Sequence, residues 1–189
     1  MMTMKTFFLS LVVIILLGIL IILCAELSSS YTSSDMINKK APVITYQEMD
    51  INASPEKVYQ IMSDINHWSK WHKDVEDVHL NRRFSIGSSF DWKSGGLRIC
   101  SVLHTVVPRK KIGWSGEAFG AFAIHNWYFE PNGTGTTVKV EESMEGWLVE
   151  LFPSKFQNGL EKSLQTWLKN LKAKAEYFRG IHGDVVHQQ

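Results

Sequence analysis

The sequence predicts an α+β domain in which one antiparallel sheet of about seven strands is covered by one long C-terminal helix. Between residues 44 and 144, apolar and polar side chains alternate in short runs, as they do in strands with one buried face. Turn signals separate these runs, and Asn132-Gly133 is the clearest, because this dipeptide accepts the positive φ angles of a tight hairpin. Near the C-terminus the apolar period becomes helical. The residues of this helical face are Phe156, Leu160, Leu164, Trp167, Leu168, Leu171, Ala175 and Phe178.

Two short helices are predicted directly after the first strand, residues 44–51. Ser54 can accept a hydrogen bond from a free backbone N–H of the first turn, and Pro55 at the first helical position loses only an N–H that had no partner. Trp68 and Trp71 then follow three residues apart. At that spacing both indoles are expected to lie over the same neighbouring surface.

Turn and breaker residues define the later elements. Gly95-Gly96 predicts a hairpin, and Pro153 interrupts the strand pattern. Ser154 followed three residues later by Gln157 is a capping-box signature, so we expect Ser154 to cap the final helix. The predicted strands are residues 44–51, 74–82, 90–93, 97–107, 112–117, 121–130 and 136–144.

Residues 1–26 are predicted to form an N-terminal transmembrane anchor. The run between Lys5 and Glu26 carries no charge and, at about 20 residues, is long enough to cross the hydrocarbon core as a helix. A cleaved secretory signal fits less well, because its apolar core is usually shorter and only Ala25 offers a small residue before the cut. A lipoprotein signal also fits less well, because Leu23 precedes Cys24 where a small residue is expected. Lys5 favours a cytoplasmic N-terminus, which puts the domain on the periplasmic or extracellular side, although two lysines after the apolar run count against this orientation.

The rest of the chain divides by composition. Residues 27–43 are serine-rich without a sustained period and are predicted to be a flexible linker. Residues 44–179 form the predicted domain, and residues 180–189 a flexible tail.

The net charge of +1, without a long basic run, gives no support for a nucleic-acid partner. We expect a monomeric domain, and two cysteines, Cys24 and Cys100, predict no stabilising disulfide.

The stretch from Ile51 to His72 resembles a known family. In it a strand is followed by Asn-Ala-Ser-Pro-Glu-Lys-Val-Tyr and then by Asp-x-x-x-Trp-x-x-Trp. This order resembles the opening of the START-like, or SRPBCC, superfamily, and within it the polyketide cyclase/dehydrase-like branch. The last helix is similar to the long final helix of those domains, so the resemblance covers Ile44 to Phe178. It implies a helix-grip fold, in which the sheet wraps around the final helix and leaves an internal cavity between them.

Motifs for metal or nucleophilic chemistry are not found in the sequence. The histidines are scattered without the spacing of a helical ligand pair, and there is no Cys-x-x-Cys, so we expect neither a metal nor a cofactor. No Gly-x-Ser-x-Gly occurs, and Cys100 has only Arg98 near it as a thiolate partner. We therefore assign no catalytic residue from the sequence.

Polar residues on apolar strand faces indicate where a site could lie. His125 shares a face with Trp127, and Glu142 lies on the apolar face of the last strand, so both are expected to point inward. They could form a buried hydrogen-bonded pair, or polarise a carbonyl and move a proton. Gly159 lacks a side chain where an alanine would favour the helix by about 1 kcal/mol, and so either leaves room for a ligand or permits close contact with a tryptophan. The cavity candidates are Trp92, Trp114, His125, Trp127, Glu142, Gly159 and Ser163.

Two classes of function follow from the sequence. The preferred hypothesis is a membrane-tethered binding module that holds a hydrophobic small molecule or lipid in its cavity. The alternative is an enzyme, a cyclase or dehydratase for a polyketide-like substrate, as the branch name suggests. A weaker third hypothesis is a structural or stress-related partner of an envelope complex. A cavity lined only by apolar groups would favour the binding module, and an inward-facing His125 and Glu142 in contact with substrate would favour the enzyme.

Overall fold

The computed structural model describes residues 4–177, so the predicted tail and Phe178 lie outside the described residues. The chain divides into two compact units, Met1–Thr32 and Ser33–Gln189. The first unit contains helix α1 (Met4–Ser28), which has 25 residues, none of them buried. At 1.5 Å per residue this helix is about 37 Å long. It is therefore long and apolar enough to span a membrane.

The second unit is a seven-stranded antiparallel sheet with a long C-terminal helix. Its strands are β1 (Val43–Ile51), β2 (Val75–Leu80), β3 (Ser89–Ser94), β4 (Leu97–Val107), β5 (Lys111–Ala118), β6 (Ala121–Pro131) and β7 (Thr136–Glu145). Its helices are α2 (Pro55–Ser63), a 3-10 helix (Ile65–Lys70), α3 (Trp147–Leu151) and α4 (Pro153–Glu176).

The sheet has the strand order β1-β7-β6-β5-β4-β3-β2. Six strands form a meander, and β1 pairs antiparallel with β7, with Thr45 opposite Glu142. The apolar face of α4 packs on the inner face of the sheet and buries Leu164, Leu168 and Leu171. This arrangement is the START-like helix-grip fold, as predicted.

The two short helices after β1 begin as the sequence indicates. The Ser54 hydroxyl accepts a hydrogen bond from the Lys57 N–H, and Pro55 occupies the first position of α2. The second segment is a 3-10 helix, in which Trp68 is fully buried. Both Trp68 and Trp71 contact Trp167 of α4 edge to face, so the two indoles lie over the same neighbouring surface, as expected.

The start of α4 differs from the prediction. Its N-cap is Phe152, without a side-chain capping bond, and Pro153 is its first residue, so the predicted cap at Ser154 is wrong. The reason is a competing tertiary contact. The Gln157 side-chain amide donates to Oγ1 of Thr45 at 2.9 Å and to the carbonyl of Ile44 at 3.1 Å, and therefore binds β1 instead of its own helix end. Helix α3, which precedes α4, was not predicted either.

The segment from Ser33 to β1 lies on the outer face of the sheet. The backbone N–H of Asn38 donates to Oγ of Ser143 at 3.0 Å, and its side-chain amide donates to Glu145 at 2.7 Å. The Asn126 side chain donates to the carbonyl of Asp35, and Ile37 is buried. The serine-rich sequence of this segment does not predict these contacts. Through them the segment covers polar side chains of β6 and β7.

Candidate ligand-binding cavity

A cavity of about 360 Å³ lies between α4 and the inner face of the sheet. This volume is within the range of roughly 300–1,000 Å³ that is usual for small-molecule sites. All seven candidate residues from the sequence line this one cavity. They are Trp92, Trp114, His125, Trp127, Glu142, Gly159 and Ser163.

The strand register brings the central residues of the cavity together. Trp114 of β5 is directly opposite His125 of β6, and His125 is directly opposite Glu142 of β7. Since side chains alternate between the faces of a strand, Trp127 points inward beside His125. The alternation of side chains along the paired strands β5, β6 and β7 is therefore sufficient to place these residues on one wall of the cavity.

His125 and Glu142 form a close, buried pair. Nδ1 of His125 lies 2.6 Å from Oε2 of Glu142, and the two side chains are only 12% and 3% exposed. The distance is that of an ion pair, but among the described residues no directed hydrogen bond reaches Oε2. The pair therefore places an imidazole and a carboxyl group side by side among the residues that line the cavity.

The tryptophans around this pair form a parallel stack. The Trp114 ring lies 5.0 Å from the His125 ring at an interplanar angle of 19°, and 6.3 Å from the Trp127 ring at 10°. The Nε1 atoms of Trp114 and Trp127 are buried, and no described residue accepts a hydrogen bond from either. Trp92 differs, because its Nε1 donates to Oγ of Ser101 at 3.1 Å. Aromatic rings thus make up much of this side of the cavity.

On α4, Gly159 and Ser163 form the strip of small side chains that borders the cavity. A Cβ atom added to Gly159 would meet no atom within 4 Å. Both residues are solvent-accessible, so solvent reaches the cavity along this strip. The space beside Gly159 contradicts the alternative in which this glycine permits close contact with a tryptophan.

Sequence reasoning missed part of the lining. The further apolar residues that line the cavity include Ile99, Phe122, Met144, Phe156, Leu160 and Trp167. Most of them lie on the predicted apolar faces, but periodicity alone does not distinguish a residue that borders a cavity from one that packs in the core.

Two histidines outside the cavity, His72 and His104, have lowered pKa values. Burial lowers the pKa of His104 to about 4. Burial also lowers the pKa of His72, whose ring lies 4.1 Å from the Trp167 ring. Neither histidine lines the cavity. Within residues 4–177, no group of three or more His, Cys, Asp or Glu side chains is arranged to hold a metal ion.

The sequence profile of the family described as polyketide cyclase / dehydrase and lipid transport matches residues 42–176. The chain belongs to this family. The match begins just before β1 and ends at the last residue of α4, so the polyketide cyclase/dehydrase family accounts for the whole sheet and its helices. No curated protein sequence matches the chain significantly.

Solved structures with this fold include several bacterial proteins. A hypothetical protein, jhp0584, from Helicobacter pylori has 18% identity and a TM-score of 0.66, over 77% of this chain and 99% of that one. A START superfamily protein from Mycobacterium smegmatis has 15% identity and a TM-score of 0.62, over 71% and 98%. At these identities the likeness shows the fold alone. Because the Helicobacter chain consists almost entirely of this fold, and residues 33–189 form a compact unit with their own core, the fragment 33–189 is expected to fold by itself.

A third relative belongs to a biosynthetic pathway. It is the di-domain ARO/CYC protein StfQ from the steffimycin pathway, with 16% identity and a TM-score of 0.62. The match covers 73% of this chain and 52% of StfQ, as expected if one of its two domains is matched.

Proposed function

We propose that this protein is a membrane-tethered binding module that holds a hydrophobic small molecule or lipid in the cavity between α4 and the sheet. The observation that carries this proposal is the apolar, tryptophan-walled space beside Gly159. A well-packed core fills such a space with side chains, because empty volume forfeits dispersion contacts. An apolar ligand of matching size would restore those contacts.

The proposed tether is α1. Its apolar side chains are exposed around the whole helix, which is unfavourable in water and favourable in a bilayer. With Lys5 in the first turn of the helix, before the uncharged run, the N-terminus is proposed to be cytoplasmic and the ligand-binding unit periplasmic or extracellular. A tether of this kind would keep the cavity near a membrane that stores apolar molecules.

A second candidate function is an acid–base enzyme, a cyclase or dehydratase, and a specific observation favours it. The cavity wall is mostly apolar, but His125 and Glu142 lie in it as a close pair. An imidazole and a carboxylate at this distance could move a proton to or from a bound carbonyl compound. The family description and the ARO/CYC relative are compatible with both candidates.

The test of binding is to identify what the protein carries. Full-length protein, purified gently from its native membrane, is examined by native mass spectrometry. The proposal predicts an additional mass of one apolar molecule per chain, recovered by solvent extraction. A matched preparation of Gly159→Leu, in which the leucine fills the cavity, should lack this mass. Equal recovery from both preparations would show that the molecule is bound elsewhere.

A further inference from the structure

A group of large apolar side chains is exposed at one edge of the cavity. We call this group the apolar rim, and its members are Leu97, Phe119, Leu151 and Phe152. Each of these side chains is more than half exposed. In monomeric soluble proteins, large apolar side chains that are exposed together mark a surface that binds another apolar body. The apolar rim therefore indicates a binding surface.

The turn between β5 and β6 joins helix α3 in forming this surface. Phe119 lies in the turn, and its ring packs edge to face on Trp147 of α3, with the centroids 5.4 Å apart. The carbonyl of Gly120 in the same turn accepts a hydrogen bond from a backbone N–H of α3 at 3.0 Å. Leu151 lies one helical turn after Trp147, and Phe152 follows it. The turn and the exposed end of α3 are therefore neighbours.

The apolar rim borders the cavity directly. Ala118 and Ala121, which lie on either side of the turn between β5 and β6, both line the cavity. Leu97 is a member of the rim and also lines the cavity. Phe156, one helical turn after Phe152, lines it from α4. A ligand that enters or leaves at this edge passes between these residues.

The N-terminal segment of the domain leads towards the apolar rim. Oγ of Ser115 donates to Oγ of Ser33 at 2.8 Å, and the carbonyl of Asp35 accepts from Asn126, which is opposite Gly113 in the sheet. From Asp35 back to Ser33, the segment therefore follows β5 towards the turn between β5 and β6. That turn begins four residues beyond Ser115, about 13 Å at 3.3 Å per strand residue.

The chain between Ser33 and α1 is short. Residues 29–32 are all that separate the end of α1 from Ser33. Fully extended, this connection spans at most about 17 Å, so chain length alone keeps Ser33 close to whatever holds α1. Exposed charges on α3 and at the start of α4 are Glu150 and Lys155, one of each sign. They favour neither an anionic nor a cationic partner, so we expect apolar contact to decide what binds the rim.

On the basis of the membrane tether in the proposed function, we propose that the apolar rim docks on the lipid bilayer that holds α1. Its side chains enter the boundary between headgroups and acyl chains, roughly 5–10 Å deep, and the mouth of the cavity opens on the membrane. An apolar ligand then passes between membrane and cavity without crossing water. Four side chains alone bind a bilayer weakly, so docking depends on the tether, which keeps the rim at a high effective concentration.

Docking is measured with the full-length protein in vesicles of phosphatidylcholine, a lipid without net charge. Leu151→Cys carries the fluorophore NBD, in a chain whose own cysteines are replaced by Cys24→Ser and Cys100→Ser. A lipid with a nitroxide on its acyl chain should quench this fluorophore at least about twofold, because the rim lies at the depth of the upper acyl chain. Thr134→Cys, labelled in the same way, is the control. It is exposed in the turn at the other end of β6 and should be quenched little.

Phe119→Glu tests whether the apolar rim itself makes the contact. A carboxylate is unfavourable in the apolar part of a bilayer, so the quenching at position 151 should fall at least about twofold. Tyr46→Glu is the matched control, because Tyr46 is a similarly exposed aromatic residue on the outer face of β1. This variant should leave the quenching at position 151 unchanged.

The outcomes separate the docking from the function on which it rests. If the full-length protein does not sediment with the vesicles, the tether is wrong and the docking falls with it. If it sediments, but position 151 is quenched no more than position 134, the docking is overturned and the tether stands. The rim would then be a surface for a protein partner. No ligand is needed for these measurements, so a failure of ligand binding does not change their result.

Discussion

Trp68 and Trp167 meet edge to face, with ring centroids 5.0 Å apart and an interplanar angle of 83°. Trp68 belongs to the 3-10 helix and Trp167 to α4, so this contact joins the opening of the domain to its last element. Nε1 of Trp68 also donates to the carbonyl of Met62 at 2.9 Å, which fixes the indole to the end of α2. Trp68, near the start of the domain, therefore stabilises the position of the C-terminal helix α4.

Trp68→Phe should destabilise the domain by about 3 kcal/mol, because it removes buried ring volume and leaves the Met62 carbonyl without its donor. Trp71→Phe is the control. Trp71 also contacts Trp167 but is only half-buried, so its replacement should cost less than about 1.5 kcal/mol. Urea unfolding of fragment 33–189 measures both free energies. Equal losses would mean that Trp68 has no special position in the core.

Two glycines give opposite expectations for replacement by alanine. Gly159→Ala should raise the free energy of unfolding by up to about 1 kcal/mol, because the added methyl meets no atom and alanine favours a helix. Gly120→Ala should lower it by at least about 1 kcal/mol. Its φ is +68°, and the added Cβ would lie 2.6 Å from Cβ of Leu148.

Thermal unfolding of both variants measures these effects. Destabilisation by Gly159→Ala would mean that α4 already touches the sheet at this point and that the space beside the glycine is closed in solution.

Much of this fold is predictable from residue patterns. Strand alternation and the Asn132-Gly133 turn are local signals, and they placed His125, Trp127 and Glu142 on inner faces. The predicted N-cap of α4 at Ser154 was wrong, because the Gln157 side chain donates a hydrogen bond to Thr45 of β1, which is distant in the sequence. Local signals predict an outcome correctly when no tertiary contact competes for the same side chain.

The details of the site depend on tertiary geometry that residue patterns in the sequence do not predict. The register of β6 and β7 brings His125 opposite Glu142, but the missing partners of the Trp114 and Trp127 N–H groups depend on ring orientation. The contacts of the segment that begins at Ser33 were missed for a similar reason. A serine-rich stretch without a period carries no signal of a few specific hydrogen bonds.

The stability of fragment 33–189 should fall as the pH decreases from about 6.5 towards 5. Burial lowers the pKa values of His72 and His104 in the folded state, so the unfolded chain binds protons first. Stability is thus fully present above the unfolded pKa of about 6.5 and is lost below it. We expect a loss of about 1 kcal/mol for His104 by pH 5, after allowing for solvent screening of a partly exposed ring. His104→Gln should reduce this dependence in urea unfolding at pH 7, 6 and 5, and an unchanged slope would show that His104 is not its source.

The full-length protein should fractionate with membranes and resist extraction by high salt, whereas fragment 33–189 should remain in the soluble fraction. The reason is α1, whose exposed apolar surface is stable only in an apolar environment. Fractionation with intact mass determination measures this. A mass that corresponds to cleavage after Ala25 would replace the anchor by a removed signal sequence.

The most direct test of the cavity is the affinity of Nile red for Gly159→Leu, in fragment 33–189, compared with the unaltered fragment and with Asn158→Leu, an exposed neighbour on the same helix. The leucine at position 159 should fill the space beside the sheet and weaken Nile red binding at least about tenfold, with the domain still folded. Asn158→Leu should bind as the unaltered fragment does. If Gly159→Leu binds Nile red normally and unfolds at the same urea concentration, the strip of Gly159 and Ser163 faces only water, and the proposed ligand site is wrong.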